Sequence, residues 1–161
     1  MKFGKVVVGG TFDYIHDGHI AILSKAFELG ELVSVGICSD EMQHLLLKDS
    51  VGIQPTAIRM WKLLDTLRQR KWLGRTEIRI ISDPAGPAAT DREIEAIVVS
   101  PETKSRAKEI NKVRNSKSIK PLEIVEIPFV LAEDRQPISS IKIRYGESDV
   151  HGKKLIRPRA K

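Results

Sequence analysis

The sequence predicts an α/β protein built on a doubly wound, five-stranded parallel sheet. Short β-branched and apolar runs alternate with longer amphipathic stretches along the whole chain. The run at residues 32–38 is apolar almost throughout, as a strand covered on both faces must be. A length of 161 residues suits one domain with a real core, and no internal repeat or low-complexity linker divides it.

The elements follow in order. Val6-Val7-Val8 marks a first strand over residues 5–8, and Gly9-Gly10 ends it. A helix is predicted over residues 20–29, with Ile20, Leu23, Ala26 and Phe27 on one face and Gly30 as its stop. The second strand spans residues 32–38 and places Cys38 in the core as a small buried residue. Ser39-Asp40 can cap a short helix at residues 41–47. Pro55 then opens a longer helix to about Arg70, with an apolar stripe of Ile58, Trp61, Leu64 and Leu67. Trp61 and Trp72 read as packing residues.

Residues 77–81 form the third strand, and Asp83-Pro84-Ala85-Gly86-Pro87-Ala88-Ala89 a rigid loop. The fourth strand covers residues 96–100, and Pro101 starts a polar helix reaching Ser116. A fifth strand spans residues 122–130, interrupted at Pro128, and Pro137 precedes a final helix from Ser139. In such a sheet, ligands sit beyond the C-terminal strand ends, where the strand order reverses.

Composition bounds the function. Hydrophobic residues make up 41% and charged residues 30%, ordinary for a soluble globular domain. A single cysteine excludes an intrachain disulfide framework and any all-cysteine metal site. No stretch nears the roughly 18 apolar residues a bilayer span needs, and Gly9-Gly10 and Asp13 interrupt any signal-peptide core, so a cytoplasmic location is expected. The net charge of +6 is compatible with nucleic acid or polyanionic small molecules; much of the excess lies in residues 151–161, which read as a solvated basic tail.

Two constellations carry chemistry. The first is Gly9-Gly10-Thr11-Phe12-Asp13-Tyr14-Ile15-His16-Asp17-Gly18-His19. It puts a glycine turn and two imidazoles at a helix start, where unpaired N–H groups and the helix dipole attract phosphate. Gly18 is read as room for a phosphate chain beside the backbone. The competing reading is a metal site in which Asp13 or Asp17 joins His16 and His19. The second constellation is Ile138-Ser139-Ser140-Ile141-Lys142-Ile143-Arg144. Its serines can cap a helix or donate to phosphate oxygens, and Arg144 adds a cation.

Gly10-Thr11-Phe12-Asp13 with His16-x-Gly18-His19 resembles the signature of the HxGH nucleotidyltransferase superfamily, whose fold is Rossmann-like. Ile138-Ser139-Ser140 and Arg144 resemble its second motif, with Ile141 standing where threonine is usual. Asp83-Pro84-x-Gly86-Pro87-Ala88, Ile97-Val98-Val99-Ser100-Pro101-Glu102-Thr103, Ile110-Asn111-x-x-Arg114 and Ile127-Pro128-x-Val130-Leu131-Ala132-Glu133-Asp134 are similar to segments of the archaeal-type phosphopantetheine adenylyltransferases. The arginine-rich segment that follows the fourth strand in bacterial-type members is absent; Ser100-Pro101-Glu102-Thr103 occupies that region.

The resemblance implies a nucleotidyltransferase domain over residues 1–150, with ATP and 4′-phosphopantetheine as substrates, Mg²⁺ accompanying ATP, and dephospho-coenzyme A and pyrophosphate as products. It gives His16 and His19 the ATP phosphates and the transition state, and Thr11 the incoming acceptor phosphate. Gly10 and Phe12 line the nucleotide, Ser139 and Ser140 hold the β- and γ-phosphates, Ile138 borders the adenine, and Arg144 adds positive charge. Lys48 is a candidate for the acceptor phosphate, and no metal is held by protein side chains alone. Arg59, Arg106 and Arg114 fall on predicted helices and read equally as solvated or ion-paired residues. The neighbouring readings are an enzyme of the same superfamily with FMN, nicotinamide mononucleotide or a polyol phosphate as acceptor, and a non-catalytic nucleotide- or RNA-binding module.

Overall fold

The computed structural model describes residues 1–46 and 51–156. Five parallel strands form one sheet: β1 (Phe3–Gly10), β2 (Gly30–Cys38), β3 (Thr76–Ile81), β4 (Ala96–Val99) and β5 (Glu123–Glu126), in the order β3-β2-β1-β4-β5. The helices are α1 (Asp17–Leu29), α2 (Asp40–Leu46), α3 (Thr56–Gln69), α4 (Lys104–Ser116) and α5 (Ser140–Arg144). The order reverses between β1 and β4, so the crevice beyond the C-terminal end of β1 is the place for a ligand.

Alternation along the central strands splits the core in two. Val6 and Val8 of β1, with Val33, Val35 and Ile37 of β2, face α1 and α3, whose Leu23, Phe27, Leu63 and Leu67 close over them. Val7, Ile97 and Val99 face the other way, towards Ala107 and Ile110 of α4 and towards Ala88 and Ala89. Cys38 is buried, as its apolar neighbours predict. The loop after β3 is rigid because the Asp83 carboxylate accepts from the backbone N–H groups of Ala85 (3.1 Å) and Gly86 (2.8 Å).

Three local readings change. First, the predicted stripe on α3 is rotated by one residue. Ile58 and Trp61 are 44% and 69% exposed, and the buried face is Arg59, Leu63 and Leu67. A guanidinium sits where an apolar residue is the usual occupant, so Trp61 is no packing residue; Trp72 is, stacked on Phe27 with ring centroids 4.7 Å apart. Second, β5 ends at Glu126 rather than residue 130. The Ile127 N–H still reaches the Val99 carbonyl (2.9 Å), but Pro128 has no N–H with which to continue. Third, the polar helix begins at Lys104, after a turn in which the Ser100 N–H donates to Thr103 Oγ1 (3.1 Å).

The face assignment on α3 is testable. Leu63→Ala should cost about 2–5 kcal/mol, as loss of a fully buried leucine does. Trp61→Ala should change stability by no more than about 0.5 kcal/mol. Urea denaturation of the two variants checks both.

Candidate active site

The chain leaves β1 through Thr11-Phe12-Asp13-Tyr14 before entering α1. Phe12 and Tyr14 have φ of 53° and 46°. Each left-handed residue of this kind costs about 1–3 kcal/mol and needs surroundings that enforce it. Phe12 is enforced by burial in the core beside α1. Asp13, between the two, is 2% exposed and gathers three segments. Its Oδ1 accepts from the Gln54 N–H (3.1 Å). Its Oδ2 accepts from Arg144 Nη2 (3.0 Å) and Nε (3.3 Å). Its carbonyl accepts from the Ser140 hydroxyl (2.7 Å). The two sequence motifs therefore meet on one aspartate.

Helix α1 opens with a capping box made of imidazoles. His16 is the N-cap, in extended backbone, and its Nδ1 accepts from the Gly18 N–H (3.0 Å). His19 Nδ1 reaches back to accept from the His16 N–H (3.2 Å). The rings stack with centroids 3.9 Å apart. A backbone N–H can only donate, so both Nδ1 atoms carry lone pairs and both protons sit on Nε2. Burial holds both rings neutral: the pKa of His16 is lowered to about 4, and that of His19 to about 3 by burial and by the His16 charge it would face. The helix start thus offers two neutral, fixed N–H donors. Gly18 has a different use from the one its sequence position suggests. A Cβ there would lie 2.8 Å from His16 Cε1, so the glycine admits the imidazole itself.

The metal reading does not fit this geometry. Asp13 is held by Arg144, Asp17 pairs with His151 Nδ1 (3.0 Å), and both histidine Nδ1 atoms are occupied. Among the described residues, no group of three His, Cys, Asp or Glu stands together for a metal ion.

On the other side of β1, a narrow cavity of about 50 Å³ lies at the C-terminal ends of β1, β2 and β4. Gly9, Gly10, Gly36, Cys38 and Ile81 line it, with Arg106 of α4. Arg106 faces the Cys38 thiol, which in turn meets the Thr11 hydroxyl. Gly10, the last residue of β1, lines the cavity, which thus reaches the strand end from which the turn departs.

Gly10, Thr11, Phe12, His16 and His19 flank Asp13 in sequence, and Asp13 binds Arg144 and Ser140, which follows Ile138 and Ser139. The second set is more heavily engaged than its sequence suggests. Ser139 caps α5, its hydroxyl 3.5 Å from the Lys142 N–H, and Ser140 donates to Asp13. The Arg144 guanidinium is bound by Asp13 and by the Val51 carbonyl (3.0 Å), leaving its side chain 8% exposed. Lys48 lies outside the described residues. Two arginines are buried: Arg59, beneath the turn and ion-paired with Asp40 (3.2 Å), and Arg114, which donates to the carbonyls of Lys120, Ala88, Asp91 and Ile94. Arg114 falls within one of the quoted family-like segments; for Arg59 the one signal is an arginine on the inward period of a helix.

Beyond residue 144 the chain returns to this region. The Asp17 N–H donates to the Val150 carbonyl (3.0 Å), and the Glu133 N–H to that of Gly152 (3.0 Å). These bonds tie the first turn of α1 to the strap that delivers Ile138.

Comparison with known proteins agrees with this geometry. A model of the family described as cytidylyltransferase-like matches residues 7–146. A protein of Methanothermobacter thermautotrophicus named phosphopantetheine adenylyltransferase is 41% identical over 158 residues, covering 98% of this chain and 93% of its own. One of the same name from Methanosarcina mazei is 41% identical over 155 residues, covering 92% of this chain and 96% of its own. A solved structure from Archaeoglobus fulgidus, a protein of unknown function, superposes with a TM-score of 0.68 at 31% identity, covering 84% of this chain and 99% of its own.

The buried cap makes stability depend on acid. Unfolded, each imidazole protonates near 6.5; folded, only near 4 and 3. Between those values the unfolded chain binds more protons, so stability rises with pH. The contribution is complete above about 6.5 and is lost as the pH falls towards 4. The melting temperature should drop between pH 7 and 4.5, and drop less in a His16→Asn/His19→Asn variant, as calorimetry across that range would show.

Proposed function

The chain belongs to the cytidylyltransferase-like family, and on that premise we propose the reaction it performs: transfer of AMP from ATP to 4′-phosphopantetheine, giving dephospho-coenzyme A and pyrophosphate. It is an adenylyltransferase of coenzyme A biosynthesis, and ATP and phosphopantetheine are its substrates. One observation supports the structural side of this reading: the Asp13–Arg144 pair joins the turn that carries the imidazole cap to the serine-capped start of α5, as a shared polyphosphate site requires.

The chemistry needs no side-chain nucleophile. An oxygen of the acceptor phosphate attacks the α-phosphorus of ATP, a P–O bond forms, and the bond to the bridging oxygen of pyrophosphate breaks. The electron pair leaves on pyrophosphate. What the protein must do is align two polyanions and support the charge that moves to the leaving group. The Nε2–H groups of His16 and His19 are donors fixed in advance for that charge, and they need no proton exchange to act. Thr11 holds the incoming phosphate at the turn. Gly10 and Phe12 border the nucleotide, Ile138 the adenine, and the α5 start with Ser139 and Ser140 the outer phosphates. Arg144 sets the distance between the two motifs through Asp13, and its positive charge reaches the phosphates from behind that pair.

The acceptor arm follows the cavity. Its lining is mostly apolar, which suits the uncharged arm of the acceptor. Arg106 makes no ion pair among the described residues and supplies positive charge to the acceptor phosphate, with Lys48 as a second candidate. Magnesium enters with ATP as part of the substrate. Phosphate oxygens and water would be its ligands.

Pyrophosphate release from ATP should be strong with 4′-phosphopantetheine and near background with FMN, nicotinamide mononucleotide and glycerol phosphate; preference for any of the last three overturns the acceptor. His16→Asn keeps an efficient N-cap but removes the Nε2–H donor. It should lower kcat on the order of a hundredfold, with a melting temperature close to wild type by scanning fluorimetry.

A further inference from the structure

Arg59 is 0% exposed, and its guanidinium spends all five N–H groups. Nη1 donates to the carbonyls of Thr11 (2.7 Å) and Cys38 (2.9 Å). Nε donates to the Gln54 carbonyl (2.7 Å). Nη2 donates to Thr56 Oγ1 (3.0 Å) and Asp40 Oδ1 (3.2 Å). Its one carboxylate partner, Asp40, is 54% exposed, so ion pairing is a weak reason to bury this cation. A well-packed apolar residue at such a site is often at least as stable. The three carbonyls are the informative partners. They belong to the turn after β1, the end of β2, and the segment just before α3.

The Thr11 contact has a geometric consequence. The peptides of the described residues are trans, and in a trans peptide the C=O and the following N–H point in opposite directions. A Thr11 carbonyl aimed into Arg59 therefore turns the Phe12 N–H away from it, out of the turn. That N–H donates to no group among the described residues, although Phe12 is 3% exposed. Backbone donors left unpaired in such a place have a ligand as their natural partner.

We infer that Arg59 is a positioning residue for the transfer step: by fixing the Thr11–Phe12 peptide, it holds the Phe12 N–H as a donor to the ATP phosphates. The inference rests on the adenylyl-transfer reading for its kinetics. Its structural half does not depend on which acceptor is used.

The test uses the full chain, labelled with ¹⁵N and titrated with a non-hydrolysable ATP analogue. In the wild type, the Phe12 amide proton should move downfield as the analogue saturates. Arg59→Lys has one ammonium and cannot hold three carbonyls together; its Phe12 shift should be lost, and kcat should fall on the order of tenfold to a hundredfold, with the KM for phosphopantetheine within about threefold. Arg59→Met, which keeps the buried stem, is the second variant if the lysine form does not fold. Thr56→Val/Asp40→Asn removes the Thr56 hydroxyl and the Asp40 charge while leaving the three carbonyl partners, and should retain kcat within about threefold. A Phe12 amide unmoved in the wild type, an equal shift in wild type and Arg59→Lys, or an equal loss of kcat in Thr56→Val/Asp40→Asn would each overturn the inference. Wild-type inactivity towards phosphopantetheine would instead refute the acceptor, leaving the amide titration to decide on Arg59.

Discussion

The ion pair between Asp13 and Arg144 is the contact on which the site depends. It joins the turn after the first strand to the last helix, 131 positions apart in the chain, and both side chains are nearly closed to solvent. Removing one partner of a buried pair leaves an uncompensated charge, at a cost of about 3–5 kcal/mol. Here the pair does more than hold two segments. Asp13 lies between two residues in left-handed backbone, and its carboxylate and carbonyl together bind Gln54, Arg144 and Ser140. The turn keeps its unfavourable shape because these partners leave it no other. The segment of the imidazole cap and that of the serine cap are tied together through this one residue.

Charge is arranged in layers. The donors at the imidazole cap are neutral Nε2–H dipoles. Two fixed cations sit behind the turn and the serine cap. Arg144 stands behind the serine cap and Arg59 behind the glycine turn, each bound to carbonyls as well as to a carboxylate. The layer in front is preorganised by the layer behind, which is how an enzyme without a side-chain nucleophile can hold the geometry of transfer. The strap from Glu133 and the returning residues at 149–152 brace the same region from outside the sheet.

Much of this was legible in the residues. The alternation of β-branched runs and amphipathic segments gave the five strands, their parallel sense and the place of the ligand crevice, because buried strands and surface helices have different periods. The glycine turn with its two histidines, and the paired serines, stood out through residue types that helix starts favour. What stayed hidden depends on contacts between distant segments. The α3 stripe was misread because Ile58 and Trp61 look like an inward face and Arg59 does not; only the carbonyls of Thr11, Cys38 and Gln54, supplied by other elements, make arginine the inward choice. The fifth strand was read too long because apolar character continues past Pro128, where hydrogen bonding cannot. Gly18 was seen as space for a ligand, and it is space for His16.

The neutrality of the stacked imidazoles bears on how the reaction ends. Pyrophosphate departs with more negative charge than it had as part of ATP. Two imidazolium rings would bind it most tightly at that moment and slow its escape. In the proposed reaction, uncharged rings would give direction without long-range attraction, supporting the leaving group while the bond breaks and leaving it free to diffuse afterwards. The same pair of backbone bonds that caps a helix would then also favour turnover over product retention.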